Sequence, residues 1–315
     1  MMRIFGLALV LVMSGMTAVW AAPPPLPVTA SNLPWSPLYE QVDEAMQEKL
    51  IRRLRENRAW ARLMDRGKMA VGLVDLSHPL QPRFARINGR SMMYAASLPK
   101  IAILLAAFQQ FEEGTLERTK AINADLAAMI RVSSNAAATR MIDRLGGLDR
   151  VNQVLTDPRY HLYDETLGGG LWVGKRYQQA GRRRPDPIHG LSHGATVTQV
   201  CRFFYLLATG RLVNPQRSQE MLDLLVDPKI NHKFVKALRR AAPEAKIYRK
   251  SGTWKIWHAD AALVWGPQWR RYILVGMVED TNGENILQAL VPAIETVLPL
   301  APNRATSNTT RTGGK

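Results

Sequence analysis

The 315-residue sequence predicts an α+β fold: an antiparallel sheet flanked by its terminal helices, with an all-helical lobe inserted between the strands. Three observations carry that expectation. Hydrophobic periodicity runs helix, strands, helices, strands, helix in chain order. The strand-like segments fall into two groups, at 69–89 and 245–280, separated by a long stretch of mostly helical spacing. Apolar residues make up 46% of the chain and charged residues 22%, ordinary proportions for a domain with a sizeable core.

Taken in order, residues 1–22, "MMRIFGLALVLVMSGMTAVWAA", show an early Arg3, an apolar stretch and then small residues. That is the pattern of a secretory signal peptide, cleaved after Ala21 or Ala22. The apolar core, broken by Ser14 and Gly15, is short for a bilayer span. The mature protein is therefore expected to be periplasmic or secreted. Residues 23–37 are Pro-rich and read as an extended leader, and 38–300 as one folded domain. From Pro37 to about Leu63 the apolar spacing predicts one long amphipathic helix. "MAVGLVDL" and "RFARING" predict strands around the turn "SHPLQP". "IAILLAAFQQF" is an apolar helix opened by "SLPK", which Pro99 permits only in its first turn. The helical lobe spans about 115–240 and is interrupted by a loop at 157–194 rich in Gly, Pro and Arg. "AKIYRKSGTW", "HADAALVWG" and "RRYILVGMVED" return to strands, and "GENILQALVPAIETVL" closes the fold as a helix. The Ser/Thr/Asn-rich tail, 301–315, is expected to be disordered.

The formal charge is +16, with basic clusters at 181–185, 238–240 and 269–271. No recognition motif or aromatic-basic repeat accompanies them, which argues against nucleic acid as partner. In an exported protein such charge suits contact with anionic envelope polymers, or a solvated surface, and a monomer is expected. The single cysteine, Cys201, lies in the apolar run "VTQVCRFFYLL" and reads as a small buried hydrophobe. His189 and His193 are four apart, but in a glycine-rich loop and without a third ligand, so neither metal nor cofactor is expected. His258, Asp260, Trp254 and Trp257 suit packing or the wall of a cleft.

Chemistry concentrates in three short segments. Ser97 and Lys100 stand three apart at the start of an apolar helix, so hydroxyl and amine share a face. The helix dipole disfavours a cation in that first turn. Partial desolvation there pushes the amine towards neutrality, where it can act as a base, while the helix N-terminus offers N–H groups to an oxyanion. "RVSSNAAATR" places Ser133 and Asn135 between two helices of the lobe, and Ser133 has the alternative reading of a helix cap. "YRKSGTW" places Lys250, Ser251 and Gly252 on a strand.

In order and context these segments resemble the Ser-x-x-Lys, Ser-Asp-Asn and Lys-Thr-Gly set of class A β-lactamases and penicillin-binding serine peptidases. The resemblance extends over about 38–299. It implies an acyl-serine mechanism in which Ser97 attacks an amide carbonyl and Lys100 accepts its proton. It also implies that the N–H groups of Ser97 and Thr253 form the oxyanion hole, and that Ser133, assisted by Lys250, relays a proton to the leaving nitrogen. Asn135 would bind the substrate's amide side chain, and Ser251, Thr253 and Lys250 a substrate carboxylate. Ser134 and Ser251 depart from the family's aspartate and threonine, and Ser97 and Ser133 are only 36 residues apart, so the lobe is trimmed. The family's deacylating Glu-x-x-Leu-Asn pattern is absent; "YDETLGGGLWVGK" offers Glu165, or Asp164 beside it, as the water-activating base. The implied activity is hydrolysis of β-lactam amides. The alternatives are a D-alanyl-D-alanine peptidase acting on cell-wall peptides, and a β-lactam sensor that acylates without turnover.

Overall fold

A computed structural model describes residues 23–28, 35–178 and 181–298. The signal-peptide reading of 1–22 and the tail reading of 301–315 fall outside the described residues. The N-terminal helical stretch is two helices, α1 (Glu44–Arg55) and α2 (Arg58–Asp65), where the periodicity predicts one. The break is local chemistry: the Asn57 side chain accepts the N–H groups of Ala59 and Trp60 and caps a new helix. Strands β1 (Met69–Asp75) and β2 (Arg83–Ile87) follow, then the two-residue β3 (Met93–Tyr94) and helix α3 (Lys100–Glu112). The lobe continues with α4 (Lys120–Arg131), α5 (Asn135–Arg144) and α6 (Leu148–Thr156).

The Gly/Pro/Arg-rich stretch contains four short strands: β4 (Tyr163–Asp164), β5 (Gly169–Gly170), β6 (Trp172–Val173) and β7 (His193–Ala195). β4 and β5 pair with each other, while β3, β7 and β6 make a small sheet. Between β6 and β7 the chain is tied by buried Asp186, whose carboxylate accepts N–H groups from Ile188, His189 and Leu191. Then come α7 (Val197–Ala208), α8 (Pro215–Leu225), α9 (Lys233–Ala241), strands β8 (Lys246–Trp254), β9 (Trp257–Trp265) and β10 (Arg271–Glu279), and α10 (Gly283–Glu295).

The main sheet has the antiparallel order β2-β1-β10-β9-β8. Side chains alternate across it with period two. Met69, Val71, Leu73, Tyr272 and Leu274 face a core shared with α1, α2, α9 and α10. Ala70, Val74, Ile273 and Val275 face a second core with α3, α7 and the rest of the lobe. Although α9 falls within the 115–240 stretch, Phe234, Val235 and Leu238 pack it against α10 on the outer face. On the inner face α7 lies so close that a Cβ at Gly72 would come 2.6 Å from Cys201 Sγ. Cys201 is fully buried in that contact, and its role is packing. No helix among the described residues is long and apolar enough to cross a membrane.

Candidate active site

Where the helical lobe meets the β8 edge of the sheet, a cleft of roughly 1030 Å³ opens, and Ser97, Asn135 and Thr253 line it. Ser97 is half-buried in the turn between β3 and α3, which is held by Leu98 N–H to Ala95 O (3.0 Å) and Lys100 N–H to Ser97 O (3.3 Å). Ala96, immediately before it, has φ of +50°, a strained conformation for a residue with a Cβ. Pro99 donates no N–H and α3 has no side-chain cap; the first-turn N–H groups of Lys100, Ile101 and Ala102 donate to Ser97 O, Leu98 O and Pro99 O. β8 passes hard against this turn. A Cβ on Gly252 would lie 2.1 Å from Ala95 O and 2.7 Å from Ser97 N, so only glycine permits the approach that sets Thr253 beside Ser97.

Lys100 opens α3 with its side chain fully buried. Its Nζ donates to Ser133 O (2.5 Å) and Asn135 Oδ1 (2.8 Å), with Ser133 Oγ at 3.4 Å. Burial lowers its pKa from 10.5 to about 7. The amine bonds to the 133–135 segment rather than to Ser97. Ser133 is not the helix cap. Ser134 takes that role, accepting the Ala137 N–H at 3.2 Å, which leaves Ser133 (φ +59°) with its hydroxyl turned towards the lysines. From β8, buried Lys250 donates to Ser133 Oγ at 2.9 Å and to Ser251 O at 2.7 Å. Burial, reinforced by the Lys100 cation, pushes the Lys250 amine well below its ordinary range. Ser133 Oγ thus sits between two amines that resist being charged together.

Asn135 gives its carbonyl oxygen to Lys100 and keeps its NH₂ free to donate into the cleft. The exposed Thr253 accepts at Oγ1 from Lys233 Nζ (2.7 Å), so its own hydroxyl hydrogen is free to point outward. Ser251 Oγ lies 3.3 Å from His232 Nε2. The sequence reading did not single out Lys233. It is fully buried, with its Nζ also bonded to Gly252 O (2.7 Å) and Ala259 O (3.1 Å), and burial holds its pKa at about 8. The available signal was the one that marks Lys100, a lysine in a helix's first turn.

The structure does not bring Glu165 into this cleft. It stands exposed on the 3₁₀ turn Glu165–Leu167 that links β4 to β5. Asp164 is spent on that turn too, accepting from Thr166 N–H (2.8 Å) and Thr166 Oγ1 (2.7 Å). The chain that does face Lys100 comes later, and it presents Tyr177. Lys100 Nζ is 4.6 Å from the Tyr177 ring centroid, and the Tyr177 hydroxyl donates to Ala96 O at 3.3 Å. Behind it, His193 stacks on Tyr177 with ring centroids 4.2 Å apart, and burial lowers its pKa to about 4. His189 is exposed, and no three His, Cys, Asp or Glu side chains cluster as metal ligands among the described residues. Trp254 and Trp257 also line the cleft, with Trp254 exposed. Asp260 is structural: fully buried, it binds Arg249 through two contacts of 2.6 and 2.9 Å. His258 is buried two residues earlier on the same strand, β9.

No curated protein matches this chain. Among solved structures it is similar to a mutant of PBP-A in an acyl-enzyme complex with penicillin G, with a TM-score of 0.62 and 18% identity over 83% of this chain and 98% of that one. It is also similar to a β-lactamase from Sphaerobacter thermophilus (TM-score 0.59, 16% identity, 81% of this chain and 95% of that one). A third is a mutant class A β-lactamase of the last common ancestor of Gram-negative bacteria (TM-score 0.58, 18% identity, 76% and 96%). At such identities the likeness is one of fold. The match to a family description is more direct: residues 54–125 and 123–296, spanning sheet and lobe alike, fit the beta-lactamase enzyme family, and to that family this chain belongs.

Proposed function

We propose that this protein is an exported active-site serine hydrolase whose Ser97 is acylated by β-lactams and D-alanyl amides and releases the acyl group slowly, as a penicillin-binding peptidase does. The observation that carries the reading is the placement of Ser133 Oγ between the buried amines of Lys100 (3.4 Å) and Lys250 (2.9 Å), two residues before Asn135, which lines the cleft with Ser97 and Thr253. Neutral Lys100 takes the Ser97 hydroxyl proton as Oγ bonds to the carbonyl carbon. The N–H groups of Ser97 and Thr253 hold the oxyanion. As the C–N bond breaks, the Ser133 hydroxyl passes its proton to the leaving nitrogen and is reprotonated from the paired amines. Asn135 holds the acyl side chain, and Lys250, Ser251 and Thr253 the substrate carboxylate.

Slow release is favoured over rapid β-lactam turnover by what faces Lys100. Turnover as expected from the sequence rested on Glu165, whereas here the neighbouring group is the Tyr177 ring. Among the described residues the one carboxylate lining the cleft is Glu279, which pairs with Lys68 at 2.9 Å. Intact-mass analysis with a penicillin tests the reading. The expected result is one adduct that persists after free drug is removed and is absent from Ser97→Ala. Labelling of Ser97→Ala would remove the nucleophile assignment, and an adduct that vanishes while excess penicillin is consumed would restore the β-lactamase reading.

A further inference from the structure

The cleft wall formed by the β6–β7 connection carries two cations that the acylation chemistry does not use. Lys175 and Arg183 face each other across an isolated antiparallel bridge, and both line the cleft. Directly opposed residues share a face and their chain neighbours take the other. The pattern of ion pairs follows this alternation. Arg176 pairs with Asp143 of α5 (2.5 Å) and Arg184 with Asp149 (3.0 Å) of α6, so the face turned to the lobe is neutralised. Lys175 and Arg183 pair with no carboxylate among the described residues. Like charges set directly opposite one another are unfavourable, and an acid nearby would relieve them. A buried histidine anchors the strand. His193 donates Nε2–H to Lys175 O at 3.1 Å.

We propose that Lys175 and Arg183 form an anion subsite for a carboxylate on the acyl side of the substrate, so that the preferred acyl donor is an elongated acidic peptide. The inference rests on the acyl-serine reading of Ser97 but concerns a separate part of the cleft. The substrate's terminal carboxylate is already provided for by Lys250, Ser251 and Thr253, so this carboxylate is a second one, further along the donor. A cleft of roughly 1030 Å³ has room for such a chain. The charge-assisted contacts are worth about tenfold in binding.

Two measurements test it. The first compares Ser97 acylation by a penicillin with a carboxylated side chain and by its uncharged counterpart. The parent should prefer the anionic reagent about tenfold, and Lys175→Gln/Arg183→Gln should lose that preference while reacting normally with the neutral one. The second needs no acylation: equilibrium binding of an acidic D-alanyl peptide and of its side-chain carboxamide, read by tryptophan fluorescence. The acid should bind more tightly to the parent, by a margin that shrinks with salt, and equally with its carboxamide to the double variant. Equal binding of acid and carboxamide by the parent overturns the subsite whether or not Ser97 labels. Absence of labelling with the acid preference intact would instead overturn the acyl-serine reading and leave the subsite standing.

Discussion

Lys100 should set the pH dependence of acylation. An amine with the ordinary pKa of 10.5 is about 3 × 10⁻⁴ neutral at pH 7, whereas one lowered to about 7 is about half neutral. Burial thus increases the neutral fraction of this amine about 10³-fold at neutral pH, partly offset by its lower basicity. Because the neutral form is the base, the rate must fall with acid. Single-turnover acylation by a penicillin, followed by stopped-flow or quenched mass analysis, should lose about fivefold from pH 7 to 6 and about tenfold over the next unit. Above pH 8 it should level off. His193 lines the cleft as well, but burial holds its pKa at about 4, outside this window. Lys250 shares Ser133 with Lys100, so the observed midpoint belongs to the two amines together. Lys100→Arg, protonated at every working pH, should be nearly inactive. A profile flat from pH 5.5 to 9, a midpoint near 10, or an arginine variant within a few-fold of the parent would refute the assignment.

Further expectations follow from contacts in and beneath the cleft. Gly252→Ala should abolish penicillin labelling with the far-UV circular dichroism unchanged, because its Cβ would meet Ala95 O at 2.1 Å and force β8 away from Ser97. Asp260→Ala leaves the buried Arg249 unpaired and should cost about 3–5 kcal/mol, lowering Tm by roughly 10 °C in a thermal melt. Glu165→Gln should leave the lifetime of the penicilloyl adduct unchanged, whereas Tyr177→Ala, which opens the space over Lys100 to water, should shorten it. A longer-lived adduct in Glu165→Gln would return the deacylating role to that carboxylate.

Much of this molecule is legible in one dimension because its signals are local. A period of two along β1, β9 and β10, and apolar spacing along α3 and α10, follow from which face each residue turns to a core. The Ser97–Lys100 pair was visible because a lysine in the first turn of a buried helix is costly wherever the helix packs. The sequence also determined where the three motif segments lie and what elements carry them. It did not determine what faces them, since that depends on contacts between residues distant in the chain. Glu165 lies at a plausible chain distance from Asn135, yet the β4–β5 hairpin carries it out to solvent. The Asp186-tied connection from β6 to β7 brings Tyr177 to Lys100 instead. Lys233 is 17 residues before Lys250 in sequence, and only the packing of α9 on the sheet's outer face sets its amine beneath Thr253. Hydrophobic patterning chooses the face that each element buries. Which loop then closes over the exposed end of a helix is decided by the hydrogen bonds and ion pairs that the packed elements can satisfy together, and those exist only in the folded chain.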